Sequence, residues 1–256
     1  MTHAPSREEE LTTALAKLRQ RLAYAAEAVG RKPADIELLP VTKFFPASDV
    51  AILRRLGCRS FGEARDQEAR DKIAAVSALP AARGGSDYPA RDIAWHMIGQ
   101  IQRNKAKSIA GWAHTVHSVS SARVVTALGA AADRALADGA RHAPLGVYIQ
   151  ISLDGDVSRG GVDVGDPAGV DALCDQVAAS AALSLVGVMG VPPLHADPDQ
   201  AFARLAEEHR RVQKGHPQAT GLSAGMSGDL EIAVKYGSTC VRVGTALMGP
   251  RPVTSP

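Results

Sequence analysis

Residues 220–243 read TGLSAGMSGDLEIAVKYGSTCVRV. A short apolar run ends at Ser223, a glycine-containing turn follows, residues 228–236 have a helical pattern, and a second apolar run covers residues 239–243. A strand, a helix and a second strand in this order are typical of a parallel βαβ unit. The segment therefore predicts a parallel sheet with helices packed outside it.

The same alternation extends back towards the N-terminus. Strands are predicted at residues 36–42, 59–62, 92–98, 115–119, 145–153, 184–189, 220–223 and 239–243. Helices are predicted at 50–56, 64–78, from about 100, 122–138, 168–181, 198–212 and 228–236. Eight repeats favour a closed (β/α)8 TIM barrel over an open sheet. We therefore predict an α/β fold, with residues 1–256 forming a single barrel domain.

An extra helix is predicted before the first strand. Ser6 and Glu9 have the spacing of a capping box, and Gly30 is a typical stop. Between Ser6 and Gly30, leucines recur at steps of three and four residues, which predicts one buried apolar stripe along the helix. Pro40 is unexpected inside the first strand, because proline cannot donate a ladder hydrogen bond.

Composition excludes several classes of protein. The chain has 29 basic and 27 acidic residues and a net charge of +2, so we expect no nucleic-acid surface. The three cysteines show no metal-binding or disulfide spacing, and no metal site is predicted. The N-terminus lacks the pattern of a signal peptide, and no apolar run is long enough to cross a membrane. We expect a cytoplasmic protein.

Lys43 is the first candidate functional residue. It directly follows the first predicted strand, and barrel sites gather at the C-terminal ends of strands. Burial there would lower the pKa of the amine, and Schiff-base chemistry needs the neutral form. Most lysines nevertheless stay exposed in ordinary ion pairs, so this position alone leaves both interpretations open.

A phosphate site is predicted across the last two strand ends. Residues 223–229 (SAGMSGD) follow the seventh strand, and residues 241–245 (VRVGT) end the eighth. Loops after these strands are the usual phosphate site of the fold, where glycines allow close approach and hydroxyls donate. Each segment alone is also explained by turn chemistry, with Ser227 as a helix cap.

Arg242 lies in an otherwise apolar strand, where an arginine needs a partner. Two partners fit this position, a carboxylate from a neighbouring strand and the ring nitrogen of a cofactor. His96, Met189 and Met226 also lie at predicted strand ends, and are included among the candidate cofactor-binding residues.

Seven segments together resemble one family. They are VTK (41–43), FGEARDQEA (61–69), WHMIGQIQRNK (95–105), VHSV (116–119), LVGVMGVPP (185–193), LSAGMSGD (222–229) and VRVGTALMG (241–249). In this order they resemble the YggS/PROSC family of pyridoxal phosphate homeostasis proteins, which is similar to the barrel domain of alanine racemases. The resemblance implies pyridoxal 5'-phosphate (PLP) bound as a Schiff base on Lys43. It also implies phosphate contacts from Ser223, Gly244 and Thr245, with Arg242 near the pyridine nitrogen. Ala64 and Ser120 depart from the family pattern of asparagine and aspartate, and Ala64 removes a polar group expected beside the cofactor.

The resemblance further implies a non-catalytic carrier that regulates intracellular PLP and releases it to apoenzymes in transient contacts. An arginine at the ring nitrogen makes PLP a poorer electron sink. No added domain supplies the tyrosine of a racemase, and none of the four tyrosines lies at a predicted strand end. A PLP-dependent amino-acid racemase is the alternative, and a phosphate-sugar enzyme on the same fold is a third class. We expect a monomer.

Overall fold

The computed structural model describes residues 5–79 and 92–251. Nine strands are present in this part of the chain: Glu37–Pro40 (β1), Ser60–Glu63 (β2), Ala94–Met97 (β3), Thr115–Val119 (β4), Leu145–Ser152 (β5), Val162–Asp163 (β6), Leu183–Gly190 (β7), Gly221–Ser223 (β8) and Cys240–Val243 (β9). All their pairings are parallel, in the order β1-β9-β8-β7-β5-β4-β3-β2. The order brings the first two strands to opposite ends of the path.

The two ends of this path meet. A parallel bridge joins Val41, just after β1, to Gly62 of β2, and Thr42 N–H donates to the Gly62 carbonyl at 3.0 Å. Eight strands therefore form a nearly closed parallel barrel, as the sequence predicts. Pro40 is the last residue of β1, at the strand end, where a missing N–H interrupts the ladder least.

Helices cover the outside of the barrel. They are Arg7–Glu27 (α1), Ala47–Arg55 (α2), Asp66–Ala78 (α3), Ala106–Trp112 (α4), Ala122–Ala137 (α5), Pro167–Ala178 (α6), Pro198–Gly215 (α7), Leu230–Lys235 (α8) and Thr245–Met248 (α9). The capping box at the start of α1 is confirmed, with Ser6 and Glu9 bonded to each other's backbone N–H groups. The predicted leucine stripe of α1 is buried and packs against α8 and α9. The extra N-terminal helix thus covers the part of the barrel that carries β9.

Three local features differ from the prediction. The helix expected from about residue 100 begins at Ala106, after a 3₁₀ turn over Arg103–Lys105. The short elements β6 and α9 were missed, because two or four residues are too few to show a periodicity. Residues 81–90 (AARGGSDYPA), whose composition predicts a surface loop, lie outside the described residues, and Tyr88 is among them. In the described ranges, no helix combines the length and apolar character needed to cross a bilayer.

Candidate functional site

A cavity of about 390 Å³ opens at the C-terminal end of the barrel. Its lining comes from the segments that follow β1, β3, β8 and β9, and consists of Val41, Lys43, Phe44, Phe45, Ile98, Met226, Ser227, Gly228, Arg242, Gly244, Thr245, Gly249 and Arg251. Three of these residues are cationic, and none of the described residues in the lining is acidic. The cavity is therefore suited to an anionic ligand of small-molecule size.

Lys43 is half-buried in the wall of this cavity. Burial lowers the pKa of its amine, and the positive charges of Arg251 and Arg65 lower it further, against the carboxylates of Glu68 and Glu63. In the described part of the chain, Lys43 forms no salt bridge, so the ordinary ion-pair interpretation does not apply. More of the amine is neutral at a given pH than in a solvated lysine, which favours reaction with a carbonyl group.

Three residues of the cavity lining have backbone N–H groups without a partner in the described residues. Within residues 5–79 and 92–251, the N–H groups of Gly228, Gly244 and Thr245 have no protein acceptor. A Cβ placed on Gly228 would meet no atom within 4 Å, so this glycine faces open space. Ser227 joins the two segments, because its hydroxyl accepts a hydrogen bond from Ala246 N–H at 3.2 Å. Unpaired N–H groups and hydroxyls in this arrangement can bind phosphate oxygens.

Gly225 sets the path of this loop. It has a φ of +90°, and a Cβ there would lie 2.6 Å from the Cβ of Ala233 on α8. Only glycine tolerates both the conformation and the close approach. Its carbonyl accepts from Arg242 N–H at 2.9 Å, which fixes the loop after β8 against β9.

Arg242 has two partners inside the barrel, and neither is a carboxylate. Its guanidinium donates to the Ser223 hydroxyl and, at 3.1 Å, to the Gly190 carbonyl. In the described residues no ion pair to Arg242 is formed. The predicted alternative of a neighbouring carboxylate is therefore wrong. Arg242 also lines the cavity and can still contact a ligand there.

Ser223 and the histidines form a buried chain behind Arg242. Nδ1 of His117 lies 2.8 Å from the Ser223 hydroxyl, and Nε2 of His117 lies 2.9 Å from Nδ1 of His96. Burial lowers the pKa of His96 to about 4 and that of His117 well below its usual range, so both rings are neutral near pH 7. This series of hydrogen-bonded side chains crosses the barrel interior from β3 and β4 to β8 and β9.

The structure brings some predicted site residues together and separates others. Lys43, Met226, Arg242, Gly244 and Thr245 all line the cavity. Ser223, His96 and Met189 do not line it and are buried. The departures at Ala64 and Ser120 also lie outside the cavity lining.

The phosphate site predicted over residues 223–229 includes Ser227 and Gly228, and the structure places both in the lining. A helix cap at Ser227 is the alternative stated for that segment. Phe44 and Arg251 also line the cavity, and neither is among the candidate residues predicted from the sequence. The signal for Ser227 and Gly228 was present in the glycine-rich turn of residues 223–229. For Arg251 there was no local signal, because it comes after α9 and approaches Phe44 only in the folded chain, with its guanidinium 4.4 Å from the ring centre.

None of the described tyrosines lines the cavity. Tyr24 is exposed on α1, Tyr236 donates to Asp199 at 2.7 Å, and Tyr148 is buried with its ring centre 4.5 Å from that of His117. Burial raises the pKa of Tyr148 far above its ordinary value. These three phenols are therefore not positioned as acids or bases for a ligand beside Lys43.

Comparisons with known proteins agree with this architecture. Residues 13–252 match the family model described as alanine racemase, N-terminal domain. The pyridoxal phosphate homeostasis protein of Mycobacterium tuberculosis is 61% identical over 257 residues, which cover 98% of this chain and 97% of that protein. The structure of PipY from Synechococcus elongatus with PLP bound is 30% identical, with a TM-score of 0.76, covering 93% of this chain and 100% of PipY.

The alanine racemase of Streptomyces coelicolor shares the fold alone. It is 17% identical, with a TM-score of 0.68, and the match covers 92% of this chain but 58% of the racemase. The full-length relative, in contrast, matches over nearly the whole of both chains. The chain belongs to the family of pyridoxal phosphate homeostasis proteins, built on the domain that forms the N-terminal part of alanine racemases.

Proposed function

We propose that this protein binds PLP in the cavity at the barrel mouth and holds it as a Schiff base on Lys43. One observation carries the proposal: an amine of lowered pKa and a set of unpaired N–H groups line the same cavity. A ligand that uses both must present a carbonyl group and an anionic group. PLP has an aldehyde and a phosphate, and PipY, with the same fold, has been solved with PLP bound.

The residues fit the parts of this ligand. The N–H groups of Gly228, Gly244 and Thr245 and the hydroxyls of Ser227 and Thr245 would hold the phosphate. Lys43 would supply the amine that condenses with the aldehyde, with loss of one water molecule. Ser223 was also expected at the phosphate, but its hydroxyl is already engaged by Arg242 and His117. We therefore assign it to the support of Arg242.

We infer that the bound cofactor is carried and not used in catalysis. Arg242 lines the cavity, and a guanidinium that donates to a ring nitrogen disfavours protonation of that nitrogen, which weakens the ring as an electron sink. In addition, the three described tyrosines provide no second acid or base. The protein would then keep free PLP low and release it to apoenzymes.

Absorbance spectroscopy tests the binding mode. Addition of PLP to the purified protein should produce the visible band of a protonated imine, and Lys43→Ala should abolish it. Borohydride reduction followed by peptide mass spectrometry should place the pyridoxyl group on Lys43. An equal band in Lys43→Ala would contradict the proposal and place the Schiff base on another amine.

Racemisation is the competing activity. The PLP-loaded protein is incubated with single L-amino acids, and chirality is followed by chromatography. The carrier function predicts no enantiomer formation above that of free PLP. Fast racemisation of one amino acid, lost in Lys43→Ala, would replace the carrier function with an enzymatic one.

The remaining expectations belong to the same proposal. Residues 1–256 act as one domain and one monomer, in the cytoplasm, with transient contacts to apoenzymes. The free, buried thiols of Cys58, Cys174 and Cys240 agree with a reducing compartment. Size-exclusion chromatography with light scattering tests the monomer directly.

A further inference from the structure

Three charged side chains support the turn that carries Lys43. Glu63 ends β2, while Glu68 and Lys72 lie one helical turn apart on α3. The Lys72 ammonium donates to Glu63 Oε1 at 2.7 Å, to Glu68 Oε1 at 3.3 Å and to the Thr42 carbonyl at 2.6 Å. All three protons of the ammonium are thereby used. We call Glu63, Glu68 and Lys72 the Lys72 clamp.

The clamp contacts the chain on both sides of Lys43. The Thr42 carbonyl accepts from Lys72, and the Thr42 hydroxyl donates to Glu63 at 2.6 Å. On the other side, the Phe44 N–H donates to Glu68. The residues before and after Lys43 are therefore both bonded to the clamp, while the Lys43 side chain lies along the cavity wall.

The backbone at this turn needs such support. Phe44 has a φ of +71°, a conformation that a bulky residue adopts only when its surroundings hold it there. A change in the path of residues 42–44 would move the Lys43 amine relative to the phosphate-binding N–H groups. A displacement of about 1 Å is enough to slow a reaction between positioned groups by roughly 100-fold.

Stability alone does not account for the clamp. Glu63 and Lys72 are almost fully buried, and Glu63 Oε2 has no hydrogen-bond partner among the described residues. Buried ion pairs of this kind are often matched or exceeded in stability by apolar residues of similar volume. The bonds of the clamp converge on the peptide groups around one residue, which indicates a positional role.

We propose that Glu63, Glu68 and Lys72 are positioning residues that fix the backbone of residues 42–44 so that the Lys43 amine faces the cavity. The inference rests on the proposed function for the role of Lys43 as the Schiff-base amine. The clamp itself can be tested without PLP.

The first test removes the buried pair as a unit, with Glu63→Gln and Lys72→Met combined so that no unpaired charge remains buried. A matched control, Glu208→Gln with Arg211→Met, removes the ion pair of α7, whose Nη2–Oε1 distance is 2.8 Å. With PLP, stopped-flow absorbance should show imine formation slowed by about 10-fold or more in the clamp variant and by less than about 2-fold in the control. In the apo-protein, labelling of Lys43 by trinitrobenzenesulfonate should change in the same variant only.

A second variant, Glu68→Gln, provides a test in case the double variant does not fold. Glu68 is 24% exposed, and the glutamine amide oxygen can still accept from Phe44 N–H. The charged groups around Lys43 are Glu63, Glu68, Arg65, Arg251, the clamp ammonium of Lys72 and Arg242 across the cavity. Because Glu68 raises the pKa of Lys43, its neutralisation should move the midpoint of the labelling pH profile to lower pH.

The outcomes separate the two proposals. Wild-type labelling and imine rates in a folded Glu63→Gln, Lys72→Met protein would overturn the positioning role. If that protein does not fold, an imine rate in Glu68→Leu equal to that of Glu68→Gln overturns it instead, because only glutamine keeps an acceptor for the Phe44 N–H. Absence of an imine band in the wild type would contradict the proposed function, while the labelling results would still decide the role of the clamp.

Discussion

The Arg242 guanidinium donates a hydrogen bond to the Ser223 hydroxyl inside the barrel. Ser223 is fully buried, and its hydroxyl also lies 2.8 Å from Nδ1 of His117. The serine that ends β8 therefore supports the arginine of β9, which also lines the cavity. The two serines of residues 223–229 thus have different environments, which leads to separate predictions.

Ser223→Ala should destabilise the protein. It leaves a buried guanidinium and a buried imidazole each short of one partner, at a cost of about 1–3 kcal/mol in the free energy of unfolding. Urea denaturation of the apo-protein measures this cost. The exposed Ser158 provides the control, since Ser158→Ala should change the unfolding free energy by less than about 0.5 kcal/mol. Equal stability of Ser223→Ala and the wild type would show that Arg242 finds another partner.

Ser227→Ala should weaken PLP binding with little loss of stability. The hydroxyl borders the cavity and joins the two phosphate-binding segments through Ala246 N–H. Loss of one hydrogen bond to a charged phosphate corresponds to roughly 10-fold in affinity. Fluorescence or absorbance titration of the apo-protein with PLP gives the dissociation constant. Titration with inorganic phosphate as a competitor should show the same weakening, and unchanged affinities in both assays would remove Ser227 from the phosphate site.

Acid should destabilise the protein through His96. Burial lowers its pKa from 6.5 to about 4, so the unfolded chain binds this proton first as the pH falls. The stability contributed by neutral His96 is fully present above pH 6.5 and is lost progressively down to pH 4, by on the order of 3 kcal/mol. Urea denaturation across this range should give a shallower pH dependence for His96→Gln. The exposed His195 is the control, and an equal flattening in His195→Gln would rule out His96 as the source.

Gly225→Ala should destabilise the loop that leads to the phosphate-binding segment. The added methyl group meets Ala233 at 2.6 Å in a backbone conformation with φ +90°, and the expected cost is about 2 kcal/mol. Thermal unfolding measures it. Gly228→Ala is the matched change, since its methyl group has no neighbour within 4 Å. Similar melting temperatures for the two variants would mean that the loop relaxes around the new methyl group.

The periodic spacing of apolar residues accounts for the elements whose bounds the sequence predicts correctly. The fourth strand was predicted at residues 115–119 and is Thr115–Val119, and the long helix predicted at 122–138 is Ala122–Ala137. In each of these elements, the positions of the buried side chains follow from the pattern of apolar residues within the element itself. The roles of the candidate cofactor-binding residues remain predictions, although the cavity brings together Lys43, Arg242, Gly244 and Thr245.

The barrel, the helix in front of it and the position of Lys43 at a strand end can all be predicted from the amino-acid sequence, because strand count and spacing are local properties of the chain. The contacts between distant side chains follow from the folded arrangement of the strands. Ser223 bonds to a histidine 106 residues away, and Lys72 reaches back 30 residues to the Thr42 carbonyl. Such contacts depend on how the strands close into a ring. That closure joins the ends of β1 and β2 through Val41 and Gly62, directly beside Lys43.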